Sequence, residues 1–335
     1  MKSARLPSGQ EAFNGEGCPP SSGSRESIVF VTTCSNRKRL PSSPALRAET
    51  LPTGALSDVV AEWLGRVASA STKAAARDIY CGRGFQEANQ IWTKTRGQPW
   101  IVSAGLGLIN GDEQIPSYGL TLAPEASDCI ARKVDKFSAG DWWAAINAPR
   151  GTCTPLSTLV REGGGELVVI ALSEPYARLI GDDLQSLSSS DLRRLRIVGP
   201  RQCRYLPERL RPLVMPYSDH LDGPGSDRPG TAIDFPQRAA RHFIENIAVS
   251  MLGAEAEIHW REVAEAMEKL PGREVIKRIA CSDDEIKEIV WRHWDRAEGR
   301  SGRMLRLLRD ELGVACEQGR FARLFRSAAK EVTDG

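Results

Sequence analysis

A cysteine, two small polar residues and a lysine follow the first strongly apolar run of the chain. The run at residues 28–31 leads through two threonines to Cys34, Ser35, Asn36 and Lys38. Backbone amides after a strand, a hydroxyl and an ammonium group suit a phosphate. Neighbouring cations would also lower the pKa of the cysteine thiol and make it a nucleophile. The sequence therefore predicts an anion-binding loop, with an ordinary polar loop as the alternative and, for the cysteine, a small residue at a tight turn.

Four aspartates lie in polar segments that follow other apolar runs: Asp112, Asp219, Asp222 and Asp227. His220 adjoins the second of them in the segment SDHLDG. A carboxylate in such a loop can activate water and stabilise the positive charge of a sugar-like transition state, and a histidine can donate a proton to the departing base. We predict Asp112 or Asp219 as the catalytic carboxylate, with His220 as the donor. The alternative for any single aspartate is turn formation, for which Asp is a standard residue.

Motifs for metals and nucleotides are absent from the sequence. It contains no HExxH, no paired Cys/His spacing, no GxGxxG and no GxxxxGK[ST]. The eight cysteines are scattered without a CxxC pair, which fits neither a zinc site nor a secreted disulfide framework. We therefore predict metal-independent chemistry without a cofactor, in a reducing cytoplasm.

The C-terminal part of the chain is rich in arginine. Residues 287–330 hold 11 Lys/Arg and 6 Asp/Glu, a net charge of +5 in a chain of net charge +2. Steps of three or four residues would align these arginines on helix faces. Such a surface over a helical core suits the phosphate backbone of double-stranded DNA, whereas the alternative is a solvated charged face. The predicted DNA-binding residues are Arg292, Arg296, Arg300, Arg303, Arg306 and Arg309, and Arg320, Arg323 and Arg326 repeat the pattern.

Five apolar runs supply the elements that must position these groups. Each run is continuous rather than alternating, so both faces of each strand should be covered. Helical stretches lie between several of them, which predicts an α/β fold with a mostly parallel central sheet flanked by helices. Ligands bind such sheets at the carboxyl ends of the strands, where the polar segments above would meet. The predicted strands are residues 27–32, 99–105, 166–173, 195–199 and 212–217, and the predicted helices are residues 56–70, 84–95, 127–147 and 175–187.

Composition divides the 335-residue chain into three parts. Residues 1–27 are rich in Gly, Ser, Pro and charge, which predicts a disordered leader. Residues 28–252 form the predicted α/β catalytic domain. Residues 253–335 form a predicted all-helical, basic DNA-binding module with tight glycine-containing links. No apolar run approaches the roughly 20 residues that span a bilayer, and the N-terminus lacks the apolar segment of a signal peptide, so no membrane contact is expected.

Three segments of the chain, in order, resemble a bacterial domain family of unassigned function. The family pattern runs CSxxK, LYxxxxF, SAxxGLL and PYxxTL. The matching segments here are TTCSNRK (32–38), ARDIYCGRGFQEA (76–88) and WIVSAGLGLINGDEQIPSYGLTL (100–122). Ile79 replaces the leucine of the second motif, and Ser117 replaces the proline before Tyr118. The resemblance covers about residues 28–122, a third of the chain.

This family resembles the uracil-DNA glycosylase-like α/β fold, which also occurs in enzymes that handle modified guanine in tRNA. An anti-phage DNA glycosylase that removes glucosylated hydroxymethylcytosine is of this general kind. The resemblance therefore implies a DNA glycosylase that extrudes a modified base of phage DNA into a pocket and leaves an abasic site. The alternatives are a transglycosylase-type enzyme that modifies tRNA or nucleosides, and a non-catalytic DNA-binding protein.

The resemblance also extends the set of candidate binding residues. Ser103 and Tyr118 join the four loop residues after the first strand as substrate or phosphate ligands. Tyr80, Phe85 and Tyr118 would either stack on the extruded base or belong to the core. The water-activating motif GQDPY of the glycosylases is absent, so the resemblance assigns no catalytic residue.

Overall fold

The structure, a computed structural model, divides into two compact units, Met1–Pro271 and Gly272–Gly335. The predicted disordered leader lies outside the described residues, which are 28–150, 155–199, 203–272 and 278–333. No helix among them is long and apolar enough to cross a membrane.

A five-stranded sheet forms the centre of the first unit, in the order β4-β3-β1-β6-β7. All neighbouring pairs are parallel except β3 and β4. A second, antiparallel ladder joins β2 to β5. The α/β fold with a mostly parallel central sheet is therefore confirmed. The strands of this unit are β1 (Ile28–Thr33), β2 (Ala74–Ala75), β3 (Trp100–Ser103), β4 (Gly107–Asn110), β5 (Gln114–Ile115), β6 (Leu167–Ala171) and β7 (Leu195–Val198).

Helices of the first unit connect the strands and bury their apolar sides. Every residue of the central strands β1 and β6 is buried, because helices and loops cover both faces of the sheet, as the continuous apolar runs predicted. The helices are α1 (Leu56–Ala68), α2 (Ala76–Ile79), α3 (Arg83–Thr95), α4 (Ala139–Asn147), α5 (Pro155–Glu162), α6 (Glu174–Gln185), α7 (Ser189–Arg193), α8 (Phe235–Asn246) and α9 (Ala256–Glu268).

The strand order reverses once along the chain. The chain passes from β1 to β3 on one side, and then returns to β6 on the other side of β1. Ligands of open α/β sheets bind outside the carboxyl ends of the strands at such a switch point. The loops that follow β1 and β6 are therefore the places where a site is expected.

One predicted strand, residues 212–217, does not join the sheet. A 3₁₀ helix covers Glu208–Leu213, and a single bridge joins Ile197 to Val214. Pro212 and Pro216 lack the N–H groups that a ladder requires, which explains why this apolar run stops at one bridge.

A strand that the sequence reasoning missed, β4, reverses the chain after β3. Ser103 pairs with Gly107 and Trp100 with Asn110, so the segment SAGLGLING is a hairpin rather than a loop at the carboxyl edge. Gly107 has a φ of 76°, and an added Cβ there would collide with the side chain of Asn147. This hairpin returns the chain to the amino-terminal end of β3, away from the carboxyl edge.

The boundary between the units lies beyond the predicted position at residue 253. Helix α9 belongs to the first unit because Arg196 of β7 contacts it directly. The buried Arg196 guanidinium donates to His259 Nδ1 at 2.9 Å and to the Ala254 carbonyl at 2.7 Å. A division at 253 would cut through these contacts.

The second unit packs short helices around its own apolar cluster. Ser282 and Glu285 form a capping box at the start of its first helix. A two-residue parallel ladder accompanies the helices, so the described part is not entirely helical. Its elements are β8 (Ile279–Ala280), α10 (Asp283–Arg292), α11 (Ser301–Arg306), a π-helix at Leu307–Glu311, β9 (Val314–Ala315) and α12 (Gln318–Thr333).

Candidate active site

The loop after β1 folds back so that Lys38 reaches the interior of the carboxyl edge. Lys38 forms an isolated antiparallel bridge with Tyr80, the residue that ends α2. Its Nζ lies 4.3 Å from the ring centroid of Tyr118 and 5.7 Å from that of Tyr80. Nζ also donates to the Ser35 carbonyl at 3.3 Å. Residues of the CSxxK, LYxxxxF and PYxxTL motifs thus meet at one lysine.

Hydroxyl groups beneath Lys38 form a closed hydrogen-bonded network. The hydroxyls of Tyr80 and Tyr118 are 2.8 Å apart, and the Tyr118 hydroxyl lies 2.6 Å from Ser103 Oγ. The backbone N–H groups of Gly105 and Leu106, in the β3–β4 turn, donate to Ser103 Oγ. Ser103, Tyr80 and Tyr118 are fully buried, so their polar atoms satisfy one another.

Lys38 lacks a carboxylate partner among the described residues. Burial lowers the pKa of Lys38 below its ordinary value, against the opposing effect of Cys34, Asp128 and Cys81. Asp128, which accepts a hydrogen bond from the Glu49 N–H, is a carboxylate near the cluster that the sequence reasoning did not name. The result is an amine that is only partly exposed and that favours its neutral form more than a surface lysine does.

The thiol of Cys34 lies at the switch point of the sheet. Its Sγ is 3.0 Å from the hydroxyl of Tyr176, which stands in the first turn of α6, directly after β6. The Cys34 N–H continues the ladder to the Val102 carbonyl at 2.9 Å. Burial, followed by the electrostatic effect of the neighbouring Cys34 side chain, raises the pKa of Tyr176 well above its ordinary value, so this hydroxyl stays protonated.

The side chains of two of the predicted loop ligands make hydrogen bonds away from Lys38 and the hydroxyl network. Ser35 Oγ donates to the Arg37 carbonyl at 2.7 Å, and Asn36 Nδ2 lies 3.5 Å from Thr121 Oγ1. Asn36 and Arg37 are exposed. The loop therefore presents polar groups outward while its lysine points inward.

The aromatic residues of the motifs belong to the core. Tyr80, Phe85 and Tyr118 are all at least 96% buried and pack edge-on or tilted against one another or other core rings. Of the two alternatives for these residues, stacking on a base and core packing, the structure supports core packing.

Asp112 does not lie with these residues. The β3–β4 hairpin carries it to the edge of the sheet where β3 begins, and the adjacent Gly111 N–H donates to the Pro99 carbonyl. Its carboxylate forms an exposed ion pair with Arg77 at 2.8 Å. The expectation that Asp112 opens onto the carboxyl edge with Ser103 was wrong, because the intervening glycines form a turn.

Asp219 and His220 lie at the far side of the carboxyl edge, beyond β7. They belong to a 3₁₀ helix, Asp219–Asp222, that follows the segment bridged to Ile197. At about 4.8 Å per strand, three steps separate this segment from β1, or roughly 14 Å. Asp219 is exposed, and His220 Nδ1 lies 2.8 Å from the Met267 carbonyl, which fixes the ring and directs Nε2 away from α9.

A buried charge cluster holds the start of α8 beside the start of α3. The Arg238 guanidinium donates to Asp234 at 2.8 Å and to Asp222 at 2.7 Å. Burial alone would raise the pKa of Asp234, but the Thr231 N–H and Arg238 hold it below its ordinary value. Asp222 therefore has a structural role. Asp227 is exposed, and its carboxylate forms a long ion pair of 3.8 Å with Arg228 Nε.

The arginines of the second unit do not form one continuous face. A non-helical stretch separates α10 from α11, and a π-helix follows α11. Arg292, Arg296, Arg300 and Arg303 form ion pairs with glutamates, and Arg309 donates to the Cys316 carbonyl. Arg320 and Arg323 both pair with Asp283.

Charge in the second unit is therefore more balanced than residues 287–330 suggest. Residues 278–333 contain twelve Lys/Arg and ten Asp/Glu, a net charge of +2, because α10 begins with three acidic residues. Within the described part of this unit, Arg306 is exposed and has no carboxylate partner.

Tyr176 and Arg238 are the residues that sequence reasoning missed. The position of Tyr176 in the first turn of the helix after β6 was the available signal. Because β6 pairs with β1, that turn lies at the switch point of the sheet. No pattern in the sequence pointed to Arg238, whose partners are brought together by the fold.

No protein-family model, curated protein or solved structure matches this chain significantly. Within the described ranges, no three His, Cys, Asp or Glu side chains are grouped as metal ligands.

Proposed function

We propose that the first unit is a DNA N-glycosylase with a uracil-DNA glycosylase-like fold. It would cleave the glycosidic bond of a modified base in phage DNA, such as glucosylated hydroxymethylcytosine, and leave an abasic site. The observation that carries this proposal is the convergence of three motif segments on one cluster, Lys38 with Tyr80, Tyr118 and Ser103, at the carboxyl edge of β1 and β3.

The geometry suits an extruded nucleotide better than a free duplex. A base must leave the stack before an enzyme reaches its glycosidic bond, and its phosphates must be held meanwhile. The exposed side chains of Asn36, Arg37 and Arg39 flank Lys38 along the loop and can contact the phosphates beside an extruded nucleotide. Asp219 and His220, on the same edge, remain the proposed group that orients water and the proposed proton donor.

The second unit is proposed to add affinity for the duplex. Its near-balanced charge limits this contribution to a few contacts, for which the exposed Arg306 and Arg326 are available. We therefore expect a shallow dependence of DNA affinity on salt, since the slope grows with the number of phosphates contacted.

The test is incubation of the full chain, with chelator present, with duplexes carrying cytosine, hydroxymethylcytosine or glucosylated hydroxymethylcytosine. The expected result is abasic sites in a modified duplex, strongly reduced in Lys38→Ala and unchanged in Lys94→Ala. Lys94 is an exposed lysine paired with Glu245 on the helical face of the unit, which makes it a matched control.

Other outcomes would replace the proposal. Base release or exchange on tRNA alone would favour the transglycosylase-type alternative. Binding of modified DNA with every glycosidic bond intact would favour a non-catalytic DNA-binding protein.

A further inference from the structure

The Lys38 amine has the surroundings of a nucleophile rather than of a phosphate ligand. Lysines that hold phosphates are charged and reach into solvent, whereas a lysine nucleophile is desolvated and lacks a counter-ion. Lys38 lies against two aromatic rings, donates to one carbonyl, and has no carboxylate partner among the described residues. It remains partly exposed, so a ligand can still reach it.

We propose that Lys38 attacks C1′ of the deoxyribose and forms a covalent imine with the sugar. This inference rests on the proposed function, because it names the group that carries out the same bond cleavage. It replaces water as the attacking group at the Lys38 cluster.

The step balances without a further reactant. The neutral amine nitrogen forms a bond to C1′, the bond from C1′ to the base breaks, and its electron pair leaves with the base. One amine proton passes to the base. The C1′–O4′ bond then breaks as the C1′=N bond forms, and the second amine proton passes to O4′, which leaves an imine and a free hydroxyl.

The net shift of the Lys38 pKa, which is downward, agrees with this role. Burial lowers its pKa, and Cys34, Asp128 and Cys81 oppose that effect. The two tyrosine hydroxyls beneath it keep their protons, since burial raises the pKa of both Tyr80 and Tyr118 well above the ordinary value. They therefore do not supply an anion that would hold Lys38 in its charged form.

A preformed abasic site tests the proposal without knowledge of the base. The full chain is mixed with a duplex that already contains one abasic site, whose ring-opened form carries an aldehyde, and the imine is reduced with borohydride. The amine and the aldehyde give an imine and water, and reduction gives a stable protein–DNA adduct. We expect an adduct with the unaltered protein and with Lys94→Arg, and its complete loss in Lys38→Arg.

The arginine variant separates attack from charge. Lys38→Arg keeps a cation over Tyr118 but has no nucleophilic amine, so it should retain the affinity for abasic DNA. Peptide mapping of the reduced adduct on the unaltered chain provides a measurement that does not depend on any variant, and we expect the sugar remnant on Lys38.

Three results would overturn the proposal: no adduct with the unaltered protein, an adduct mapped to another amine, or full adduct formation in Lys38→Arg. Abasic sites formed in modified DNA without any adduct would leave the glycosylase proposal standing and would remove only the lysine nucleophile. An adduct with preformed abasic sites, but no base release from any duplex, would support the amine and contradict the glycosylase.

Discussion

Raising the pH should ionise the five tyrosines of this chain in two separate steps. The hydroxyl of Tyr205 accepts a hydrogen bond from Arg204 at 2.7 Å, and the hydrogen bonds from Arg204 and Arg178 lower its pKa. Burial raises the pKa of the other four, Tyr80, Tyr118, Tyr176 and Tyr217, above the ordinary value. One tyrosinate should therefore form in the folded protein, and four should form only when the first unit unfolds.

The magnitude follows from linkage. A group whose pKa is raised by folding contributes stability below its unfolded pKa, here about 10, and loses it as the pH rises further. Each such tyrosine costs about 1.4 kcal/mol per pH unit above 10. The three that are more than 90% buried, Tyr80, Tyr118 and Tyr217, together cost roughly 4 kcal/mol per unit. A stability of about 5–15 kcal/mol would then be exhausted between about pH 11 and about pH 13.6.

The assay is the ultraviolet absorbance of tyrosinate, followed together with far-ultraviolet circular dichroism during an alkaline titration. Tyr205→Phe should abolish the first absorbance step and leave the second, whereas Tyr118→Phe should reduce only the second. The formation of two or more tyrosinates before the dichroism changes would refute the sealed hydroxyl network beneath Lys38.

Three further predictions concern the charged groups. Arg238→Met should lower the free energy of unfolding by about 3–5 kcal/mol, because it removes the buried guanidinium that contacts both Asp222 and Asp234, whereas the more exposed Arg241→Met should cost about 1 kcal/mol; equal urea midpoints would contradict this. Asp112→Asn should leave base release intact, whereas Asp219→Asn should slow it by about 10²–10⁴-fold if water attacks C1′ and should leave it near the normal rate if Lys38 does; the reverse order of the two variants in single-turnover rates would show that the site is misplaced. Arg306→Glu should weaken duplex binding alike for all sequences and lower the salt slope by about 1, measured by fluorescence anisotropy, and an unchanged slope would contradict a phosphate contact.

The central sheet was predictable because burial on both faces leaves a direct trace in the sequence. Four of the five apolar runs became parallel strands, and their order along the chain and their helical connections indicated the fold class. The fifth run was just as apolar, but its prolines lack the N–H groups that a ladder requires. These prolines are visible in the sequence and argue against a strand. Apolar character alone therefore predicts burial more reliably than it predicts a strand.

The residues at the carboxyl edge of the sheet were harder to predict, because the short β3–β4 hairpin decides which residues lie there. If residues 104–110 were a loop, Asp112 would lie beside Ser103; as a turn and a strand, they carry Asp112 the length of β3 away. Glycine at 107 was the only local sign of the reversal, through its positive φ. Contacts such as Cys34 with Tyr176 join residues 142 positions apart, and no spacing rule along the chain reports them.

The motif residues fall into two groups with different meaning for function. Tyr80, Phe85, Ser103 and Tyr118 are buried and satisfy one another, so any protein that keeps this scaffold needs them whatever it binds. The exposed loop residues and the amine of Lys38 have no such structural requirement, and a lysine is a costly choice against two aromatic rings if packing were its only task. A methionine would fill that space without the cost of desolvating a charge. Lys38 is a largely buried amine near the switch point of the sheet, and it has no ion-pair partner among the described residues. This arrangement points to chemistry at that amine, so the test of function begins with Lys38 rather than with the aspartates.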